Sequence, residues 1–192
     1  MDQNIYQTIP TQYNDILEAT RESGFTMASD ILTCSLLRAL AATKPKSKLL
    51  ELGTGTGLGT AWILDGMDSV STLISVDNDD SFLAIASKFL AADGRLSLIS
   101  SDGGEWIANN TQEKFDYIFA DTWHGKYLML DEALSMLNPG GLYIIDDMIP
   151  QSNWPEGHHE KALALISALD ARTDIATTKL LWATGIVIAA KK

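Results

Sequence analysis

Glu51 stands two residues ahead of Gly53 in the stretch "LLELGTGTGLGTAWIL", residues 49–64, where Gly53, Gly55, Gly57 and Gly59 recur at every second position. Glycines so spaced bare the main chain for a ligand, and a nucleotide phosphate is the usual occupant of such a loop. The dinucleotide fingerprint spaces its glycines G-x-G-x-x-G, and a P-loop needs a G-K-[ST] that this stretch lacks. A carboxylate pointing at the same space repels a pyrophosphate and attracts an ammonium or sulfonium. The ligand expected here is therefore cationic at its reacting end. Asp77, twenty residues after Gly57, ends the next apolar run, where a carboxylate can accept both hydroxyls of a ribose. It could instead cap the helix that follows, a task for which Asp79 and Asp80 compete.

The elements that must position these residues follow from hydrophobic period. Apolar spacing predicts helices over about 11–22 and 28–42. The period then alternates: strands at "KLLEL", "TLISVD", "RLSLIS", "FDYIFAD" and "LYIIDD", with helices at "LGTAWILDGM", "DSFLAIASKFLAA", "GEWIANN" and "YLMLDEALSML" between them and the turn "NPGG" before the fifth strand. A helix "EKALALISALDA" precedes two last strands, "TTKLLW" and "GIVIAA", which are close enough to pair antiparallel. Strands separated by helices are βαβ units. The fold class expected is α/β: a doubly wound, mostly parallel seven-stranded sheet with an antiparallel C-terminal hairpin. Ligands in such sheets bind at the carboxyl ends of the strands, which here carry Glu51–Gly57, Asp77, Ser101–Gly103, Asp121–His124 and Asp146–Asp147.

At 192 residues the chain reads as one domain, 1–45 forming helices over the ligand side and 46–192 the core. The net charge of −11, from 25 acids and 14 bases, repels polyanions, so nucleic acid is a poor partner. No uncharged stretch approaches the roughly 20 residues of a membrane span, and "MDQNIYQTIP" has no leader character. The lone Cys34, inside an apolar run, reads as a buried thiol in a reducing compartment, and a cytoplasmic location is expected.

These residues resemble the class I S-adenosylmethionine-dependent methyltransferases, whose first motif is similar to "ELGTGTG". "FADTWHGKY" (119–127) followed by "LNPGGLYIIDDM" (137–148) is similar to the catechol and caffeoyl-CoA O-methyltransferase group, which has an Asp ending one strand, a nearby Lys, a Tyr, a Gly-Gly turn and an Asp-Asn pair. The resemblance implies that Glu51, Gly53, Gly55 and Gly57 line the methionine and ribose end of the cofactor. It further implies Asp77 on the ribose, Asp102 and Gly103 at the adenine, Met27 as a cover, and Asp121 near both cofactor and metal. Asp121, Asp146 and Asp147 would be the metal ligands, their hard oxygens suiting Mg²⁺, Mn²⁺ or Ca²⁺. Trp123, next to His124, reads as packing against the cofactor or the core rather than contacting substrate.

Two positions depart from the group: Asp147 stands for its Asn, and His124 is read in place of its Lys. His124 can serve as general base, since an imidazole titrates near neutral pH, or can be an ordinary loop residue. Simpler readings compete elsewhere: Asp102 as a cap, Asp146 and Asp147 as a solvated strand end, and Met27 as core. His158 and His159 are expected to be exposed in the first turn of a helix starting near Pro155, behind an acceptor-side loop "MIPQSNWPEGHH" with Trp154 as an apolar wall. The function implied is S-adenosylmethionine-dependent O-methylation of a small hydroxylated, catechol-like acceptor with a divalent metal. Alternatives are a metal-independent small-molecule methyltransferase and a non-catalytic cofactor-binding protein of the same fold. A short N-terminal segment leaves homodimer formation open.

Overall fold

The strand β1 (Lys48–Leu52) is buried along all but its first residue, which is why its apolar run is nearly unbroken. The computed structural model describes residues 8–151 and 154–192. Residues 1–7, where no leader is expected, and 152–153, inside the expected acceptor-side loop, lie outside the described residues. Two helices, α1 (Tyr13–Ser23) and α2 (Ile31–Ala42), precede β1, and α3 (Leu58–Gly66), β2 (Thr72–Asp77), α4 (Asp80–Leu90) and β3 (Leu96–Ser100) follow it. The chain continues through α5 (Gly103–Asn109), β4 (Phe115–Ala120), α6 (Leu130–Ser135) and β5 (Leu137–Ile145), and ends with α7 (His158–Asp170), β6 (Ile175–Leu180) and β7 (Ile186–Lys191). The expected seven-stranded α/β sheet is present, in the order β3-β2-β1-β4-β5-β7-β6.

Pairing is parallel from β3 across to β5, while β7 runs antiparallel to both β5 and β6. The order turns back between β1 and β4, so the connections leaving those two strands diverge and open a crevice at their carboxyl ends. Alternation along each strand fills two cores. Leu50, Leu52, Ile118 and Tyr143 face α5, α6 and α7. Leu49, Tyr117, Phe119 and Ile144 face α1, α2 and α3. Among the described residues no helix is long and apolar enough to cross a membrane.

Several boundaries differ from the sequence reading. The helix expected over 127–137 shrinks to α6, because Met129 adopts a left-handed backbone (φ 56°) and leaves Tyr127 and Leu128 in the preceding loop. The expected "NPGG" turn lies inside β5, as an irregularity between the Phe115–Leu137 and Tyr117–Leu142 pairings. The sixth strand begins at buried Ile175 and stops before Leu181, which is 84% exposed. Finally, α7 starts at His158, between the expected start near Pro155 and the apolar stretch that opens at Glu160.

Helices α2 and α3 meet closely enough that a Cβ on Gly66 would lie 2.2 Å from the carbonyl oxygen of Arg38. Glycine to alanine within a helix ordinarily gains stability. Here Gly66→Ala is expected to lose about 1–3 kcal/mol, seen as a lower urea midpoint at unchanged m-value; an unchanged or raised midpoint would refute the close α2–α3 contact.

Candidate active site

Period-2 alternation sends Glu51 to the same face as Leu49, under α3, where it is 1% exposed. One of its oxygens, Oε2, accepts hydrogen bonds from Thr60 Oγ1 of α3 and Ser75 Oγ of β2, both at 2.5 Å. Ser75 also bonds Thr54 Oγ1 in the loop above. The other oxygen, Oε1, lies 3.1 Å from where a Cβ on Gly59 would sit, so that glycine makes room for the acid. Burial pushes the carboxyl from its ordinary 4.5 up to about 7, against the two hydroxyl bonds that lower it.

The glycines of this loop answer to neighbouring protein as much as to a ligand. Gly53 (φ 102°) passes so near β4 that a Cβ would stand 2.6 Å from the carbonyl oxygen of Asp121, and at Gly57 (φ 93°) it would meet Ala86 and Leu90 of α4. Asp77 holds the loop by accepting from Gly55 N (2.7 Å) with Oδ2, and its Oδ1 accepts from Asp79 N (2.9 Å). The cap of α4 is Asp79, which accepts from Ser81 N and Phe82 N. Asp77 is thereby left in the cavity wall.

That cavity, of about 590 Å³, runs from the glycine loop to the ends of β4 and β5 and includes Glu51, Asp77, Asp121, Asp146 and Asp147 in its wall. Asp121 Oδ2 accepts from Ser29 Oγ (3.0 Å), while Asp146 Oδ1 accepts from Thr184 Oγ1 (2.5 Å) and Asp147 N (2.8 Å). Burial raises both carboxyls above the ordinary range, and neighbouring acids raise them further, Asp146 and Asp147 acting on Asp121 and Asp147 on Asp146. Asp147 sits in a left-handed conformation (φ 55°), the kind of local strain that collects at functional sites. Neither it nor Asp146 is a freely solvated strand end. Among the described residues no three acidic, histidine or cysteine side chains gather as a metal shell, so the three aspartates share a wall without closing on one point.

The structure does not bring His124 to these acids. Its ring packs over Gly103 and Gly104, with Nδ1 3.8 Å from Asp102 Oδ2. It lines an adjoining hollow of about 330 Å³ with Asp102, Gly103 and Asp77. The reason is a turn at Gly125 (φ 82°), whose amide bonds Leu128 O, so the following residue re-enters the cavity. That residue is Lys126, 5% exposed, whose charge lowers the pKa of both Asp121 and Asp146. Asp102 caps α5 through Gly104 N and Glu105 N and also faces the hollow. Met27 is no core residue: it is 68% exposed at the cavity rim, beside Phe25, whose ring overlies Gly55. Trp123 touches both hollows and stacks edge-on with Tyr127.

Sequence reasoning missed Lys126, Tyr127, Ser29 and Thr184, and it misplaced His158. His159 is exposed as expected, but His158 is buried against Trp123, Tyr127 and Trp154. The one available signal was the glycine in "WHGKY", which marks a turn that carries the lysine inward.

A methyltransferase-domain family profile matches residues 50–148. A protein of Mycobacterium avium (strain 104) named "Putative O-methyltransferase" is 26% identical over 140 residues, spanning 68% of this chain and 62% of that protein. The chain thus covers just under two thirds of that relative's length. Among solved structures, the O-methyltransferase from Bacillus cereus in complex with SAH superposes with a TM-score of 0.86 at 16% identity, over 98% of this chain and 94% of that one. The O-methyltransferase TomG from Streptomyces achromogenes, in complex with SAM, gives 0.82 at 19% identity, over 96% and 91%. Both likenesses establish the shared fold.

Because the Glu51 carboxyl keeps its proton in the folded chain up to about pH 7 and releases it near 4.5 when unfolded, this group weakens folding progressively across that interval. Glu51→Gln, which cannot ionise, is expected to flatten that part of the fall, and to be the more stable protein at pH 8 by about 1–3 kcal/mol. Thermal midpoints of both proteins from pH 5 to about 8 check this; parallel curves would mean that Glu51 is not buried as described.

Proposed function

We propose that this chain, which belongs to the methyltransferase-domain family, is an S-adenosylmethionine-dependent O-methyltransferase acting on a small hydroxylated aromatic acceptor. The observation that carries this reading is a solvent-free carboxylate, Glu51, in one wall of a cavity whose opposite end is aromatic and carries Lys126. An acid in that position favours a donor with positive charge and disfavours a phosphate. The ligands present in the Bacillus cereus and Streptomyces achromogenes structures, SAH, which is the donor after loss of its methyl, and SAM, support the same assignment.

The residues fit such a donor. Glu51 leaves Oε1 without a hydrogen bond among the described residues, and each Asp77 oxygen accepts one amide hydrogen bond and keeps a lone pair for a ribose hydroxyl. The hollow holding Asp102, Gly103 and His124 is the place for an adenine, with Met27 and Phe25 at the rim of the main cavity. S-adenosylmethionine supplies a methyl carbon on a sulfonium. The protein's work is to hold the acceptor oxygen in line with that carbon and to exclude water, which is where most of the rate advantage of such a displacement arises. Lys126 places an ammonium where it would stabilise the phenolate that the acceptor hydroxyl becomes on losing its proton, and the displacement then neutralises that charge against the sulfonium.

A divalent metal is part of this proposal. Asp121 Oδ1 and Asp146 Oδ2 carry no hydrogen bond among the described residues, and the two acids repel one another in a buried site. Two hard carboxylates fit a cation such as Mg²⁺, which keeps several waters and completes its shell with substrate oxygens, so a third protein ligand is not required. When bound, the ion lowers the pKa of a chelating phenol. The second reading, metal-independent transfer, is favoured by Lys126, a buried cation already beside the same acids.

Calorimetric titration should show S-adenosylmethionine binding and no comparable affinity for NAD, with Glu51→Gln weakening the former by more than about tenfold; tighter NAD binding would overturn the assignment. Methylation of a catechol panel should vanish on chelation and return with Mg²⁺. Activity indifferent to the chelator removes the metal, and Lys126→Met should then cost about a hundredfold in kcat. Intact donor binding with no methylation of any hydroxylated acceptor would instead leave a donor-binding protein without turnover.

A further inference from the structure

The loop between β6 and β7 lies at the cavity end of the sheet, since Ile145 pairs with Val187 and Leu180 with Ile186. Its shape is uncommon. Ala183 is left-handed (φ 50°) without being glycine, a conformation that persists only where the surroundings dictate it. Gly185 (φ 84°) passes so near the segment leaving β5 that a Cβ would stand 2.7 Å from Ile149 N. The amides of Met148 and Ile149 donate to Gly185 O and Thr184 O, both at 3.0 Å, and Gln151 Nε2 donates to Ile149 O (2.9 Å). These contacts hold Thr184 against the end of β5, in the cavity wall.

There Thr184 Oγ1 donates to Asp146 Oδ1 at 2.5 Å. The Asp147 amide donates to the same oxygen (2.8 Å), so Asp146 is gripped on Oδ1 from two sides, while Oδ2 has no hydrogen bond among the described residues. Nor is Oδ2 shut in: the sealed and unpaired side-chain atoms of the described residues are Thr33 Oγ1, Trp62 Nε1 and His158 Nδ1. The amide belongs to the next residue and comes with the strand end. The hydroxyl arrives from 38 positions away. An aspartate turns freely about its Cβ–Cγ bond, so one adjacent amide sets the carboxylate plane only loosely, and a second donor from another direction fixes it. Asp121 is treated alike, Ser29 Oγ occupying Oδ2 and leaving Oδ1.

We propose that Thr184 is a positioning residue: its hydroxyl locks the Asp146 carboxylate with Oδ2 turned into the cavity, ready for a divalent cation. This rests on the metal reading of Asp121 and Asp146 given above. A small cation such as Mg²⁺ tolerates little departure from octahedral geometry, so a carboxylate set in advance binds it better than one that must be ordered on binding. Outer partners of this kind are commonly worth about tenfold to a hundredfold in metal affinity. The same role accounts for a left-handed alanine in a loop that could otherwise relax.

Mn²⁺ titration, followed by calorimetry and by loss of the free-ion EPR signal, tests this on four proteins. Thr184→Val keeps the β-branched shape and loses the hydroxyl, Thr184→Ser keeps the hydroxyl and loses the methyl, and Thr184→Ala loses both. The valine and alanine forms are expected to bind Mn²⁺ about tenfold or more weakly than the wild type, and the serine form within about threefold of it. Serine against alanine isolates the hydroxyl a second time, whatever valine does to the loop. In turnover, the half-saturating Mg²⁺ concentration of Thr184→Val should rise by the same factor, with kcat recovering as Mg²⁺ is raised. Serine falling with alanine while valine stands with the wild type would assign Thr184 to packing and overturn the inference, as would four equal affinities. A wild type that binds no Mn²⁺ overturns the metal reading and this inference with it. Wild-type binding that neither valine nor alanine weakens sinks this inference alone.

Discussion

An acid denied water at the end of β1 organises this molecule. The strand's alternation leaves Glu51 no choice but the interior, and an isolated buried carboxylate is costly enough that its surroundings must be built for it. Thr60 from α3 and Ser75 from β2 meet on one of its oxygens, Thr54 braces Ser75 from the loop, and the missing side chain at Gly59 clears space for the other oxygen. Helix, neighbouring strand and loop are thus tied to a single group. Once ionised, the acid has no cationic partner among the described residues, which is the opening that a positively charged ligand would fill.

The donor side and the acidic side of the cavity are mechanically joined. Gly53 leaves no room between its Cα and the Asp121 carbonyl, and Asp121 in turn accepts from Ser29 in the segment leading into α2. Three chain segments far apart in sequence therefore meet at one aspartate. With Asp146 and Lys126 in the same wall, the site sets two buried acids against a buried ammonium, so its charge balance depends on what enters.

Much of this was legible before the structure. Largely apolar runs marked β1, β2 and β4 because both faces of those strands are covered, and the acids at their carboxyl ends marked the crevice. The reading faltered where a single backbone conformation overrides pattern. Tyr127, Leu128 and Met129 continue a helical spacing, yet the left-handed Met129 breaks it, and the turn at Gly125 replaces His124 with Lys126 at the acids. His158 was illegible for a different reason. A polar residue in a first helical turn is ordinarily solvated, and its burial here comes from Trp123 and Tyr127, some thirty positions away. Tertiary packing of that kind leaves no local trace.

The segment leaving β5 is stitched to the approach of β7, through Met148 N to Gly185 O and Ile149 N to Thr184 O, before it crosses to α7. The start of the acceptor wall is therefore pinned to the part of the sheet that lies beyond β4, while Glu51 and the glycine loop hang from β1 and β2. Substitutions on that side of the sheet can therefore reshape the far wall of the cavity while the bonds that hold Glu51 stay as they are.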